Sequence, residues 1–355
     1  MYKNKNIYGL QFWMLCLSSV LFFGSFNMII PELPSYLDSL GGEDYKGLII
    51  ALFTLTAGLS RPFSGKLTDT VGRIPIMIYG VIVCFVVGFL YPVLTTVAGF
   101  LFLRFIHGMS TGFKPTATSA YIADISPFNR RGEALGVLGF FGSLGMASGP
   151  VLGSYIASAY SLNAMFYTSS VIALMSIAVL IGMKETLERP QKFKLSLLKI
   201  KWSDVIEPRV IPPAIVIMLT TFSFGVILTI VPDLSDHLDL PNKGIFFAIF
   251  TVTSLITRIL GGKASDIYGR IPILMVACVV YIVSLILLGM SDTLIWFYSA
   301  AALYGIGVGF NTPTAFAWTI DLSDEEHRGR GMATAFISLE IGIGMGAILS
   351  AWIYA

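Results

Sequence analysis

Apolar residues recur along the chain in eleven runs, each closed by a short polar or charged break. The runs cover residues 11–34, 46–64, 74–94, 97–122, 133–158, 163–184, 210–232, 244–262, 271–290, 294–320 and 330–354. About 20 helical residues cross the ~30 Å hydrocarbon core of a bilayer. Lipid offers the backbone no hydrogen bonds, so runs of this kind close their bonds internally, as helices. No segment alternates apolar and polar positions with the period of a strand, which argues against a barrel. The pattern predicts an all-α membrane protein.

Composition agrees. Hydrophobic residues make up 55% of the 355 positions and charged residues 12%, about half the charged share of a soluble domain. A net charge of +2 gives no basic field for a nucleic-acid partner. Cys16, Cys84 and Cys278 lie inside separate apolar runs, with neither metal spacing nor a disulfide framework. The first run follows MYKNKNIYGLQ. It is too long for a signal-peptide core and lacks a clear cleavage site, so it reads as a retained helix.

The distribution of charge sets an orientation. One set of breaks holds Lys3 and Lys5, Lys66 and Arg73, Arg130 and Arg131, Lys263 and Arg270, and Arg328 and Arg330. Lys184 and the long linker 185–209, with Arg189, Lys192, Lys194, Lys199, Lys201 and Arg209, add to the same side. The opposite breaks hold only Lys46 and Lys243, among the acids Asp38, Glu43, Asp44, Asp233, Asp236, Asp239 and Asp292. The positive-inside rule then places the N-terminus in the cytoplasm. The expected domains are an N-terminal bundle of six helices over 1–184, the basic cytoplasmic linker over 185–209 and a C-terminal bundle over 210–355. Within the linker, FKLSLLKIKW reads either as a short amphipathic helix on the anionic leaflet or as a solvated connector.

The two bundles repeat each other. RPFSGKLTDTVGRIPI at 61–76 matches RILGGKASDIYGRIPI at 258–273 in nine of sixteen positions. The same offset of 197 pairs Thr54 with Thr251, Gly108 with Gly305, Asp124 with Asp321, and Arg131-Gly132 with Arg328-Gly329. An even number of helices separates the copies, so the repeats are parallel. Such repeats mark secondary transporters, whose substrate sites lie between the halves near mid-membrane. By this count the second bundle lacks its last helix, and the chain is expected to be a fragment of a twelve-helix protein.

GKLTDTVGR, from Gly65 to Arg73, resembles the loop signature of the major facilitator superfamily, and its copy stands in the second half. RFIHGMSTG, from Arg104 to Gly112, is similar to the second motif of that family, an Arg followed four residues later by Gly. GSLGMASGPVLG, from Gly142 to Gly153, resembles the motif of its drug/proton antiporters. The resemblance covers essentially the whole chain. It implies two pseudo-symmetric six-helix bundles rocking about a central cavity.

Each motif also has a physical reading. Gly65 and Gly72 permit close approach and a sharp turn, Pro75 suits a first helical turn, and Asp69 suits the positive end of the helix that follows it. Lys66 and Arg73 read as headgroup anchors. The resemblance adds a gate: Asp69 pairs with helix ends of the other half when the inner side is closed. Gly65, Asp69, Gly72, Arg73, Arg131, Asp266, Gly269, Arg270 and Arg328 are the expected gating residues. Gly142, Gly145, Gly149 and Gly153 fall within about an 80° sector of one helix. They form a stripe that permits close packing or, with Pro150, the antiporter seam. Gly342 and Gly346 repeat that stripe, with Ala347 opposite Pro150.

Ionisable residues inside a membrane are costly and often functional. Arg104, Glu340 and Glu32 are the candidates for proton coupling, a role the resemblance gives to Arg104 and desolvation would suit in a carboxylate. His107 and Lys114 lie on the same helix as Arg104. Phe26, Asn27, His107, Phe222, Phe250 and Asn311 are candidates for the substrate cavity. No carboxylate-rich cavity favours metal ions, no nucleotide-binding loop is present, and no catalytic constellation suggests an enzyme. The expected function is proton-coupled efflux of small amphipathic compounds from a cell by a monomer in the inner membrane, with no cofactor. The alternative is a proton-coupled importer or facilitator of a sugar or small metabolite.

Overall fold

The computed structural model describes residues 8–201, 205–238 and 245–354. Lys3, Lys5, Asp239 and Lys243 lie outside the described residues, as do the side chains of Lys46, Asp233 and Asp236. The described chain is helical, with no strand among the described residues. Helix α1 (Leu10–Ile29) passes through a 3-10 turn at Ile30–Glu32 into the short α2 (Leu33–Ser39). Pro31 and Pro34 each remove a backbone donor at this junction, where the helix tightens. There follow α3 (Lys46–Thr70), α4 (Arg73–Leu90), α5 (Val97–Ile125), α6 (Arg131–Ala159) and α7 (Leu162–Ile181). After the linker come α8 (Ile211–His237), α9 (Ile245–Tyr268), α10 (Arg270–Gly289), α11 (Leu294–Leu322) and α12 (Arg328–Tyr354).

With α1 and α2 taken as one span, the described helices match the eleven apolar runs. Ten of these stretches are long and apolar enough to cross a membrane. Helix α5 is not among them although it has 29 residues. It carries Arg104, His107 and Lys114, and all three side chains are buried by neighbouring helices. Helix α3 also departs from expectation. Its apolar run ends at Ser64, yet the helix continues through Asp69 to Thr70, because its terminal charges have partners. The charged stretch 65–75 is therefore mostly helix, and the turn proper is Val71–Gly72.

The chain divides into two compact units. The first comprises Met1–Ile125, Phe141–Ile206 and Asp324–Ala333; the second comprises Ser126–Phe140, Glu207–Ser323 and Thr334–Ala355. Each unit thus includes the start of a helix from the other half of the sequence. In the first, α5 packs against α3 and α4, and α7 against α1 and α4. Its core gathers Met28, Leu33, Val87, Tyr91, Phe100 and Phe166. In the second, α11 packs against α9 and α10, around Ile227, Val231, Phe246, Phe297 and Tyr304. The α3–α5 and α9–α11 crossings correspond at the repeat offset. Large apolar side chains such as Met275, Val279 and Ile282 on α10 stay exposed, as expected of surface that faces lipid tails.

Candidate functional site: two charge ladders and a glycine seam

The turn between α3 and α4 is made by Gly72, with φ 134°, and its copy between α9 and α10 by Gly269, with φ 91°. A side chain strains at such angles. The turn lets Arg73, the first residue of α4, fold back over the end of α3. Arg73 Nη1 donates to the Thr68 carbonyl at 2.6 Å and to Asp69 Oδ1 at 3.1 Å, while Nε donates to Asp124 Oδ2 at 3.0 Å. Arg73 is only 1% exposed, so it is no headgroup anchor; its partners are carboxylates inside the unit.

Asp69 serves a different helix from the one that follows it. Its two oxygens accept the amides of Gly329 at 2.7 Å and Arg330 at 2.9 Å, in the first turn of α12. Those amides have no intrahelical acceptor, and the helix dipole adds positive potential there. Arg328 closes the ladder from the same turn, its Nη1 lying 2.5 Å from Asp124 Oδ1. The amides at the start of α4 go to Glu185, which accepts from Arg73 and Ile74 at 3.0 Å each.

The second unit builds the same ladder from the equivalent residues. Asp266 accepts the amides of Gly132 at 2.9 Å and Glu133 at 2.7 Å, at the start of α6. Arg270 pairs with Asp266 at 2.5 Å and with Asp321 at 2.8 Å, and Arg131 pairs with Asp321 at 2.9 Å. Gly65 lies beside α12, where an added Cβ would come within 2.9 Å of the Ala333 side chain. Sequence reasoning left Asp124, Asp321 and Glu185 out of the gating set. The two aspartates were findable, since they repeat at the same offset as the arginines they bind. Glu185 sits at the head of the basic linker, outside the repeat, and gave no signal.

The glycine stripe of α6 lies on α1. A Cβ at Gly145 or Gly153 would overlap the carbonyls of Val20 and Met28, and one at Gly149 would sit 2.6 Å from the Gly24 carbonyl. Pro150 lies within this helix. At the end of the seam Ser154 donates to Glu32 at 2.7 Å. On α12, Gly342 and Gly346 meet the backbone of α8 at Met218 and Phe222 in the same way.

The candidate coupling and cavity residues divide between the units. In the first, Arg104 donates to the Ile49 carbonyl at 2.9 Å and to the Tyr91 hydroxyl at 3.4 Å, with its guanidinium 4.7 Å from the Phe53 ring centre. The Tyr91 hydroxyl shares a 3.4 Å hydrogen bond with His107 Nδ1. His107 Nε2 lies 3.4 Å from Cys84 Sγ. Phe26 stacks on Phe53 at 5.9 Å, and Asn27 donates to the Phe23 carbonyl at 2.8 Å. Lys114 is buried with its ammonium 4.9 Å from the Phe22 ring. In the second unit, Asn311 stands at the repeat position of Lys114 and donates to Thr220 Oγ1 at 3.1 Å. Phe250 packs against Phe224 at 5.9 Å and Tyr304 at 5.7 Å. Phe222 and Glu340 are half-buried on α8 and α12. Arg104 and Glu340 belong to different units.

The Major Facilitator Superfamily model matches residues 15–241 and 213–355. The chain belongs to that superfamily. It is 30% identical over 278 residues to Multidrug resistance protein MdtG of Serratia proteamaculans, covering 74% of this chain and 67% of MdtG. It is 31% identical over 230 residues to Quinolone resistance protein NorA of Staphylococcus aureus, covering 62% of this chain and 56% of NorA. The match to NorA thus spans little more than half of that protein. Among solved structures, the human organic anion transporter MFSD10 superposes with a TM-score of 0.84 at 19% identity, over 97% of this chain and 93% of that one. The proton:xylose symporter XylE superposes at 0.77 and 16% identity, over 99% and 89%. At these identities the likeness establishes the all-α facilitator fold. A superfamily member with these spans is a multi-pass membrane protein and a transporter rather than an enzyme.

Proposed function

We propose that the protein is a proton-coupled exporter of small amphipathic compounds, working as a monomer by alternating access. In this reading it lies in the inner membrane of a cell with its N-terminus in the cytoplasm. The observation that carries the reading is the seam of α6. Gly145, Gly149 and Gly153 meet the backbone of α1 beside Pro150, whereas α12 repeats the glycines with Ala347 in place of the proline. A proline inside a helix removes one backbone hydrogen bond. Its confinement to the first half gives that half a locally weakened helix where α6 lies directly on α1. MdtG and NorA, named for drug resistance, support the same reading. The ladders act as latches: each carboxylate holds a helix start from the other half of the sequence, and release lets the transporter change state. A few kcal/mol between states is enough for both to be populated. Arg104, Glu32 and Glu340 serve proton coupling, and Phe26, Asn27, His107, Phe222, Phe250 and Asn311 line the substrate path.

The test is dye accumulation in bacteria expressing the full chain. Ethidium accumulation should fall, the fall should vanish when the proton gradient is collapsed, and Pro150→Ala should weaken it at equal expression. Unchanged accumulation with the protein verified in the membrane would sink the efflux reading. Proton-driven uptake of a sugar or small metabolite by the same cells would establish the importer instead.

A further inference from the structure

The linker after α7 is neither the amphipathic helix nor the free connector that its sequence allows. Between Glu185 and Lys201 only Leu195–Leu198 form a turn of 3-10 helix, and the rest of that stretch runs as a strap tied to the first ladder. Glu185 holds the Arg73 and Ile74 amides, and Thr186 Oγ1 donates to Asp124 Oδ2 at 2.6 Å. Gln191 donates its amide to the Thr70 carbonyl at 2.8 Å. Lys66 Nζ donates to the Lys199 carbonyl at 2.7 Å. The strap therefore grips both sides of the Val71–Gly72 turn and touches the carboxylate that Arg73 and Arg328 share.

Its outer surface has a different chemistry. Between Arg189 and Lys201 there are five basic residues and no acidic one. Phe193, Leu195 and Leu198 are 53%, 77% and 40% exposed, interleaved with Lys192, Lys194 and Lys199. Water does not favour exposed Phe and Leu, and a solvated connector needs none. The headgroup zone of a leaflet suits both features, because apolar tips enter the acyl boundary while lysines meet phosphates. The strap lies beside the ends of α3 and α4, where such a zone is expected.

We propose that residues 189–201 form a binding site for anionic phospholipid headgroups, and that lipid bound there sets how firmly the strap holds the first ladder. The first part stands on the strap alone; the second rests on the latch reading above. The partner is lipid in the leaflet rather than a soluble anion, because three exposed apolar side chains accompany the charges.

The experiment measures amide hydrogen exchange of residues 189–201 in the purified full chain. Nanodiscs of phosphatidylcholine are compared with nanodiscs containing a minority of phosphatidylglycerol. Phosphatidylglycerol should slow exchange several-fold, and Lys192→Gln/Lys194→Gln/Lys199→Gln should abolish the difference. Equal exchange in both lipids overturns the site, as does equal protection by free glycerol phosphate in phosphatidylcholine discs. Ethidium turnover in matched proteoliposomes tests the coupling. It should respond to phosphatidylglycerol in the wild type and not in the triple variant, and an equal response in both overturns the coupling. If no dye moves in any lipid, the efflux reading fails while the exchange measurement still decides the lipid site.

Discussion

The ladder around Arg73 and the ladder around Arg270 use equivalent residues, yet their central arginines are enclosed differently. The side chain of Arg73 is 2% exposed and that of Arg270 is 11%. Arg73 reaches the Thr68 carbonyl, where Arg270 reaches the Ser265 hydroxyl at 2.8 Å. Glu185 and Thr186 add acceptors and a donor to the first ladder. Among the described residues no carboxylate meets the amides of Arg270 and Ile271. A more deeply buried charge needs more partners, because removing one leaves more uncompensated charge behind. The shared ladder is therefore one device in two settings. The first is clasped by the strap, and the second stands on the ladder alone.

The strongest way to break this comparison is to weaken each latch in turn. Asp69→Asn keeps the shape but replaces one acceptor with a donor that faces the Gly329 or Arg330 amide. Charge-assisted bonds of this kind are about twice as strong as neutral ones. Turnover of ethidium at matched expression should fall about tenfold, equivalent to ~1.4 kcal/mol. Asp266→Asn should cost less, about threefold, because its partner Arg270 is more open to water than Arg73. Equal losses would show that the two ladders bear the same load despite their different burial.

Much of this was legible in the residues. The apolar runs define the helices, and the repeat offset identifies every ladder arginine before any coordinate is seen. What the pattern hid has physical causes. Arg73 reads as a headgroup anchor because nothing local shows that Asp124, 51 residues away, will neutralise it. Asp69 reads from sequence order as a cap for the next helix; only the family resemblance points to helix ends of the other half, where it meets an amide 260 residues away. The strap was least legible, since four of its five ties involve a backbone group, which carries no residue signature. The surroundings of Arg104 were equally hidden: Tyr91, Cys84 and Phe53 look like ordinary apolar positions until α3, α4 and α5 pack together.

The two turn glycines separate backbone strain from the clasp. Gly72→Ala and Gly269→Ala both place a side chain where φ is positive, at a cost of about 1–3 kcal/mol each. At Gly269 an added Cβ meets nothing closer than Pro272 at 3.7 Å. At Gly72 it comes within 2.6 Å of Glu185 Oε2. Thermal unfolding of the detergent-solubilised protein should therefore shift further for Gly72→Ala. Adding Glu185→Ala should lessen the extra shift from the alanine, measured against Glu185→Ala alone. If both glycine variants shift equally, Glu185 does not hold the turn as the structure has it.

The finest distinction removes the strap from the first ladder without touching the ladder itself. Thr186→Val loses one hydroxyl bond to Asp124, which still has Arg73 and Arg328, so turnover should change by about twofold to fivefold, less than for Asp69→Asn. Glu185→Gln keeps an acceptor oxygen but removes the charge at the start of α4, a change worth about 0.3–1 kcal/mol. Together the two substitutions make the first ladder resemble the second at this corner. The decisive measurement is the cost of Asp69→Asn in that double background. If it falls toward the cost of Asp266→Asn, the asymmetry resides in the strap. If it stays near tenfold, the asymmetry resides in the burial of Arg73, and the strap holds the turn without strengthening the latch.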